Sequence, residues 1–386
     1  MSQTPSSIPS PPRTARLAWI DAMKGIAILW IVFFHYFEAY DNGRYPSPLS
    51  ADYFRDFFAL FAPSSTIAMA VRGVEGVFLW VLQQGYIGVG VFVILSGFGL
   101  SYSLAKTGGP TGNWWTWYWK RVLRIYPMYW LAHLVYLVSP FEARLEPVDY
   151  RFFLSFLGDR FYPIYSIFFY LNAAWWFFGL LLQLYLITPL LYRLLQKVGS
   201  GWFLFLCALA TVGTRMSFLT IYPQGEQMMV GFCGCRLWEF ACGIALGAYY
   251  RREPDRAAKL LFGLAPLLAG IALFACGIRC YSSLGKLGYA FVVPLLGTGM
   301  FLISAQAARQ FNRIPVAGAA LSLVGAYSYG LFLLHQPYVI YLADRVKGYS
   351  LPAALGFAAL FTTGLALLTI PAEKFVNRLA SRLLRG

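Results

Sequence analysis

Charge is scarce in this chain: 12% of its 386 residues are Asp, Glu, Lys or Arg, 59% are hydrophobic, and the mean hydropathy is +0.59. That composition lies outside the range of soluble globular proteins and fits a polytopic membrane protein. Two common chemistries lack their parts: no G-x-x-x-x-G-K-[ST] run is present for nucleotide hydrolysis and no H-E-x-x-H run for a zinc protease. Cysteine is sparse as well. Of the six, Cys233 and Cys235 stand too close for an ordinary zinc half-site, and no His pair follows at ligand spacing. They read as structural or incidental, and no metal site is expected. No repeat of about 20 to 50 residues appears, which excludes a solenoid. The Ser/Pro-rich start (1–12) has no apolar core, so no cleavable signal peptide is expected and the first apolar segment should stay as an anchor.

What the chain does have is apolar length. Windows of roughly 20 apolar residues predict spans near 19–40, 86–106, 125–139, 173–195, 202–218, 232–250, 259–276, 286–305, 322–343 and 351–371. The formal net charge of +15 is scattered over short connections rather than gathered into a patch, which argues against a nucleic-acid partner and for charge asymmetry across a bilayer. An even number of spans puts both termini on one side. With the N-terminus inside, 19 of the 31 Lys and Arg are cytoplasmic or at the inner boundary, so that side is the cytoplasm. The expected fold is an all-α, polytopic helical bundle of about ten transmembrane helices, with a disordered tail (1–17), a membrane domain (18–378) and a basic tail (379–386). Two outer segments, 41–85 and 140–172, mix aromatics with charges. They read as interfacial helices, a lid, or loops that only cap the bundle.

Three histidines occur, and His35 lies in the first apolar window with Lys24. At about 100° per residue the two fall within roughly 20° of each other on one helix face, about 16 Å apart along the axis. An ionisable group inside a membrane is expected to serve a purpose. His35 therefore reads as a general base near neutrality, or as an interhelical hydrogen bonder. Lys24 reads as a substrate contact or as a cation snorkelling to the headgroups, with Asp21 one turn earlier as its partner. Arg121 and Arg124, three apart beside Lys120, Tyr126 and Pro127, can hold a phosphate side by side, or can anchor the inner boundary. Arg236 and Glu239 form another pair at that spacing, as a structural counter-ion or an acceptor contact. His335 lies two turns after Ser328 on nearly the same face and reads as a second catalytic or acceptor-orienting group, or as a packing hydrogen bond. His133 has no charged neighbour within a turn and reads as packing. The small residues Ser96, Gly97 and Gly99 suit close helix approach.

Taken in order, these pieces resemble the membrane acyltransferase-3 family of bacterial integral membrane acyltransferases, over about residues 17–378. The motifs are a basic residue followed eleven positions later by His (Lys24, His35), a Phe-rich S-G-F segment (Phe92 to Phe98), R-x-x-R-x-Y-P (Arg121 to Pro127), a stretch from Trp176 to Pro189 with Gln183 and Tyr185, then Arg236 to Phe240, Ser328 to Pro337, and Pro371-Ala372-Glu373. The resemblance implies transfer of an acyl group, commonly acetyl, from cytoplasmic acyl-CoA to a hydroxyl of a glycan or lipid-linked saccharide at a bacterial inner (cytoplasmic) membrane. It makes His35 catalytic, Lys24, Arg121, Arg124 and Tyr126 donor-binding, and Asp21, Ser96, Arg236, Glu239 and His335 supporting or acceptor-side. Acyl-CoA is then a co-substrate, no cofactor is bound, and the partners are the glycan acceptor and the bilayer, with homo-oligomerisation left open. Two departures stand out. Lys24 replaces the Arg of many members, keeping charge without the bidentate fork, and Leu181 and Leu182 replace an acidic pair of many O-antigen-modifying members. No fused extracytoplasmic hydrolase-like domain follows the last span, so transfer is expected to finish in the membrane domain or on a separate partner. A polytopic transporter or flippase using His35 and Glu239 as a proton relay is the competing reading; a non-catalytic export subunit is a third.

Overall fold

The ten apolar windows are mostly helical, two of them interrupted at 262–263 and at Tyr327, in a computed structural model that describes residues 17–61, 65–110, 112–139, 147–161, 164–221 and 228–383. Among these residues there is no strand. The expected tails fall mostly outside them, at 1–16 and 384–386, and residues 379–383 continue the last helix. Six helical stretches are long and apolar enough to cross a membrane, or seven if one bent pair is a single span. The other windows fall short for local reasons. Helix α5 (Trp114–Leu137) is diluted by Trp, Tyr and Arg, and α8 (Leu237–Arg252) has 16 residues, about 24 Å at the usual rise. Windows 173–195 and 202–218 join as α7 (Trp176–Ile221), broken at Gly199, whose φ of 76° takes it out of helical geometry.

Local signals start and stop the elements. Helix α1 (Ala18–Asp41) carries Asp21 in its first turn, where a carboxylate complements the dipole, and ends on Asn42 in the left-handed region. The α3 helix (Thr66–Gln83) is capped by the Ser65 side chain, and α5 by Asn113, which accepts from the Thr116 N–H at 2.8 Å. A short 3-10 turn, Gln84–Ile87, links α3 to α4 (Gly88–Thr107).

Glycine permits close approach between helices. A Cβ on Gly97 of α4 would meet the Phe240 carbonyl, and one on Gly243 the Ile94 carbonyl, so α4 and α8 pack backbone to backbone, the role expected for Gly97. The same device presses α12 (Pro315–Ala326) onto α1: a Cβ on Gly325 would overlap the Asp21 carbonyl, and one on Gly25 the Leu321 carbonyl. Immediately afterwards the chain turns by 79° into α13 (Ser328–Arg345). Helices α10 (Leu264–Ser283) and α11 (Gly285–Phe311) form a hairpin beside α4, after the short α9 (Pro254–Leu261). Helix α14 (Leu351–Leu383) runs back beside α13.

Both segments expected on the outer side carry short helices of their own. The short α2 (Tyr53–Phe61) buries Tyr53 and Phe57, and the Tyr53 hydroxyl donates to the Gly76 carbonyl of α3 at 3.1 Å. Helix α6 (Tyr150–Leu157) is tied to α5 by a sealed polar knot. His133 Nδ1 donates to the Tyr129 carbonyl at 2.9 Å, and its Nε2 accepts from Ser155 Oγ at 2.8 Å. Arg160, fully buried, donates to Ser155 Oγ, to the Tyr129 hydroxyl and to the carbonyls of Ile167 and Tyr170. At the surface of this segment the Arg151 guanidinium, hydrogen-bonded to Asp149, holds that carboxyl below its usual range.

Candidate functional site

The bend before α13 opens a chamber of about 290 Å³ at the end of the bundle where α1 begins. Seven helices supply its wall, with Gly325 and Ala326 closing it at the end of α12. Lys24 comes from α1, Ser96 from α4, Arg121 and Arg124 from α5, Tyr185 from α7, Ser328 and Tyr329 from α13, and Glu373 and Asn377 from α14. A wider vestibule of about 780 Å³ shares Lys24, Arg124 and Asn377 with it and adds Lys374 and Arg378. The basic groups are held from below. Lys24 Nζ lies 3.9 Å from Asp21 Oδ1, the pairing expected one turn back. The Arg121 guanidinium sits over the Trp117 ring at 5.0 Å, and its Nε is buried with no hydrogen-bond partner. The first turn of α13 faces the same space, so its helix dipole adds positive potential to the cations. Glu373 balances part of that charge: its Oε2 accepts from the Gly330 N–H at 2.7 Å.

Phe92, Phe177 and Phe332 also line the chamber, and His35 does not. Beyond Phe332 the rings of His335 and His35 stand 5.3 Å apart, and that of Phe332 lies 5.6 Å from His335. His335 is sealed. Its Nδ1 donates to the Phe332 carbonyl at 2.8 Å, which leaves Nε2 as the bare nitrogen, buried and without a partner. The His35 side chain keeps 23% exposure, and its Nδ1 is 3.5 Å from Glu38 Oε2, one turn further along α1.

The remaining expected site residues lie elsewhere. Tyr126 donates to the Leu157 carbonyl at 2.8 Å and packs edge-on against Phe178, away from the chamber lining. Arg236 and Glu239 make a buried ion pair of 2.8 Å, with Glu239 lodged against Gly90 and Gly297 between α4 and α11, also apart from the chamber. The chamber residues Glu373, Asn377, Tyr329 and Tyr185, and Lys374 and Arg378 of the vestibule, were not in the expected set. Glu373 and Tyr185 were the most legible of them, as members of the motifs that carry the resemblance.

A family model described as an acyltransferase domain matches residues 17–372. No curated protein and no solved structure matches the chain.

Proposed function

The chain belongs to this acyltransferase family, matched over nearly its whole length, and on that premise we propose that it takes an acyl group, acetyl above all, from cytoplasmic acyl-CoA and passes it to a hydroxyl of a cell-surface or lipid-linked glycan. The observation that carries the donor half is the meeting of Lys24, Arg121 and Arg124 with the first turn of α13 in one chamber that opens into a vestibule bearing Lys374 and Arg378. Clustered guanidinium and ammonium groups beside a helix N-terminus favour phosphates through charge-assisted hydrogen bonds. The diphosphate and the ribose phosphate of CoA fit that chemistry, and the Arg121 Nε without a partner is a donor awaiting one.

His35 supplies the other half. Its ring, partly exposed and oriented by Glu38, accepts the proton of the acceptor hydroxyl as that oxygen attacks the thioester carbonyl. The carbon–oxygen ester bond forms, the carbon–sulfur bond breaks, and the CoA thiolate leaves with a proton. General-base assistance of this kind is worth about a hundredfold to ten-thousandfold in rate, and holding both reactants in place adds to it. On this reading the vestibule faces the cytoplasm and His35 lies toward the other face of the membrane, which the charge bias of the sequence supports.

The test is transfer from radiolabelled acetyl-CoA to a glycan extract by the purified full-length chain. Arg121→Ala/Arg124→Ala is expected to weaken CoA binding roughly tenfold or more, at about 1.5–3 kcal/mol per charged hydrogen bond. Unchanged CoA affinity overturns the donor site. One broken span, at α12 and α13, lends the flippase reading some support, although inverted-repeat transporters carry such breaks in pairs. A rise in unfolding temperature on adding CoA favours the acyltransferase; no rise favours the flippase.

A further inference from the structure

Resting on the donor reading, we infer that Phe92, Phe177 and Phe332 form the gauge that selects the length of the transferred acyl group. The three rings come from α4, α7 and α13 and touch one another, with centroids 4.8 Å apart for Phe177 and Phe332, 6.3 Å for Phe92 and Phe177, and 6.4 Å for Phe92 and Phe332. Each is the chamber-lining residue of its helix nearest the imidazole end. Phe332 stands one turn beyond Ser328 and Tyr329, Phe92 one turn beyond Ser96, and Phe177 two turns beyond Tyr185, so each residue lies about 4–12 Å past the polar lining of its helix. On the other side the Phe332 ring abuts His335, and His335 abuts His35.

A thioester anchored by its phosphates among Lys24, Arg121 and Arg124 therefore points its acyl end at three phenyl rings. The chamber before them, about 290 Å³ in all, must also hold part of the pantetheine arm. A two-carbon acyl group needs the least displacement of the rings to bring its carbonyl to His35, and each added methylene presses further into them. Packed side chains resist such intrusion because interiors are close to crystal density. The same rings keep water arriving from the His35 side off the waiting thioester.

The experiment compares acetyl-, butyryl- and hexanoyl-CoA as donors for the wild type and for Phe92→Ala, Phe177→Ala and Phe332→Ala, with the Leu variant at each position in case the larger cavity unfolds the protein. Thioester hydrolysis without acceptor is measured alongside. The wild type is expected to favour acetyl-CoA in kcat/KM. Shortening a ring is expected to move the acetyl-to-hexanoyl ratio by roughly tenfold to a hundredfold toward the longer chain, the usual size of methylene discrimination in an apolar pocket, and to raise acceptor-free hydrolysis. An unchanged chain preference across the Ala and Leu variants, in a protein that still transfers acetyl, overturns the gauge alone. Absence of any thioester turnover by the wild type overturns the donor reading and the gauge with it.

Discussion

Two of the three histidines sit in the bundle with no exposure at all, and they differ in how their nitrogens are used. His133 has both nitrogens engaged, one by the Tyr129 carbonyl and one by Ser155, and its ring stacks on Trp175 with centroids 3.9 Å apart. His335 has one nitrogen engaged by its own helix and the other bare, facing a neighbourhood that holds His35. Burial is the same for both; satisfaction is not. A buried polar atom without a partner costs about 1–3 kcal/mol, so a fold that keeps one gains nothing in stability from it. The knot around His133 closes α5 on α6, and His35 with His335 is the one histidine pair among the described residues.

The contrast is tested most strongly at His35. His35→Ala is expected to lower acyl transfer at least about a hundredfold while leaving the unfolding temperature close to that of the wild type. Full transfer by that variant removes the base assignment. Next comes the knot. Arg160→Met strands Ser155, Tyr129 and two carbonyls at about 1 kcal/mol each, so a loss of about 3–5 kcal/mol is expected in denaturant unfolding, with transfer per folded molecule retained. His133→Phe is expected to cost about 1–3 kcal/mol. His335→Phe, which loses one hydrogen bond within its own helix and a second nitrogen that bonds nothing, is expected to cost less than His133→Phe, which loses two, and to reduce transfer more. Equal stability losses at the two positions dissolve the comparison. The smallest effect is expected at the start of α5, where Asn113→Ala removes a cap worth about 1 kcal/mol. Because α5 carries Arg121 and Arg124, a slight loss of CoA affinity should accompany it.

Much of the architecture was legible because hydropathy acts locally. The apolar windows are mostly helical, and the small residues around Gly97 do lie where α4 meets α8 backbone to backbone. The pairs spaced by one turn also came through, as Asp21 with Lys24 and Arg236 with Glu239, since that spacing alone makes them neighbours on a helix. The chamber was half legible. Arg121 and Arg124 share it, yet Tyr126, two residues on, turns to Leu157 because the helix carries it to another face. Glu373 and Asn377 reach Lys24 only because α14 folds back beside α13. Their distance along the chain from Lys24 left no periodic trace to follow.

From its order of residues alone, this protein is committed to an all-helical membrane bundle, with Lys24 and His35 on one face of α1, because chain chemistry and the 3.6-residue period operate within a single element. Which cations share a chamber, which histidine keeps a bare nitrogen, and what stands between Lys24 and His35 were decided by tertiary packing. The turn of 79° after Ala326 brings the first turn of α13 and its Phe332 into that space. Such placements depend on contacts between helices hundreds of residues apart, and no local pattern encodes them.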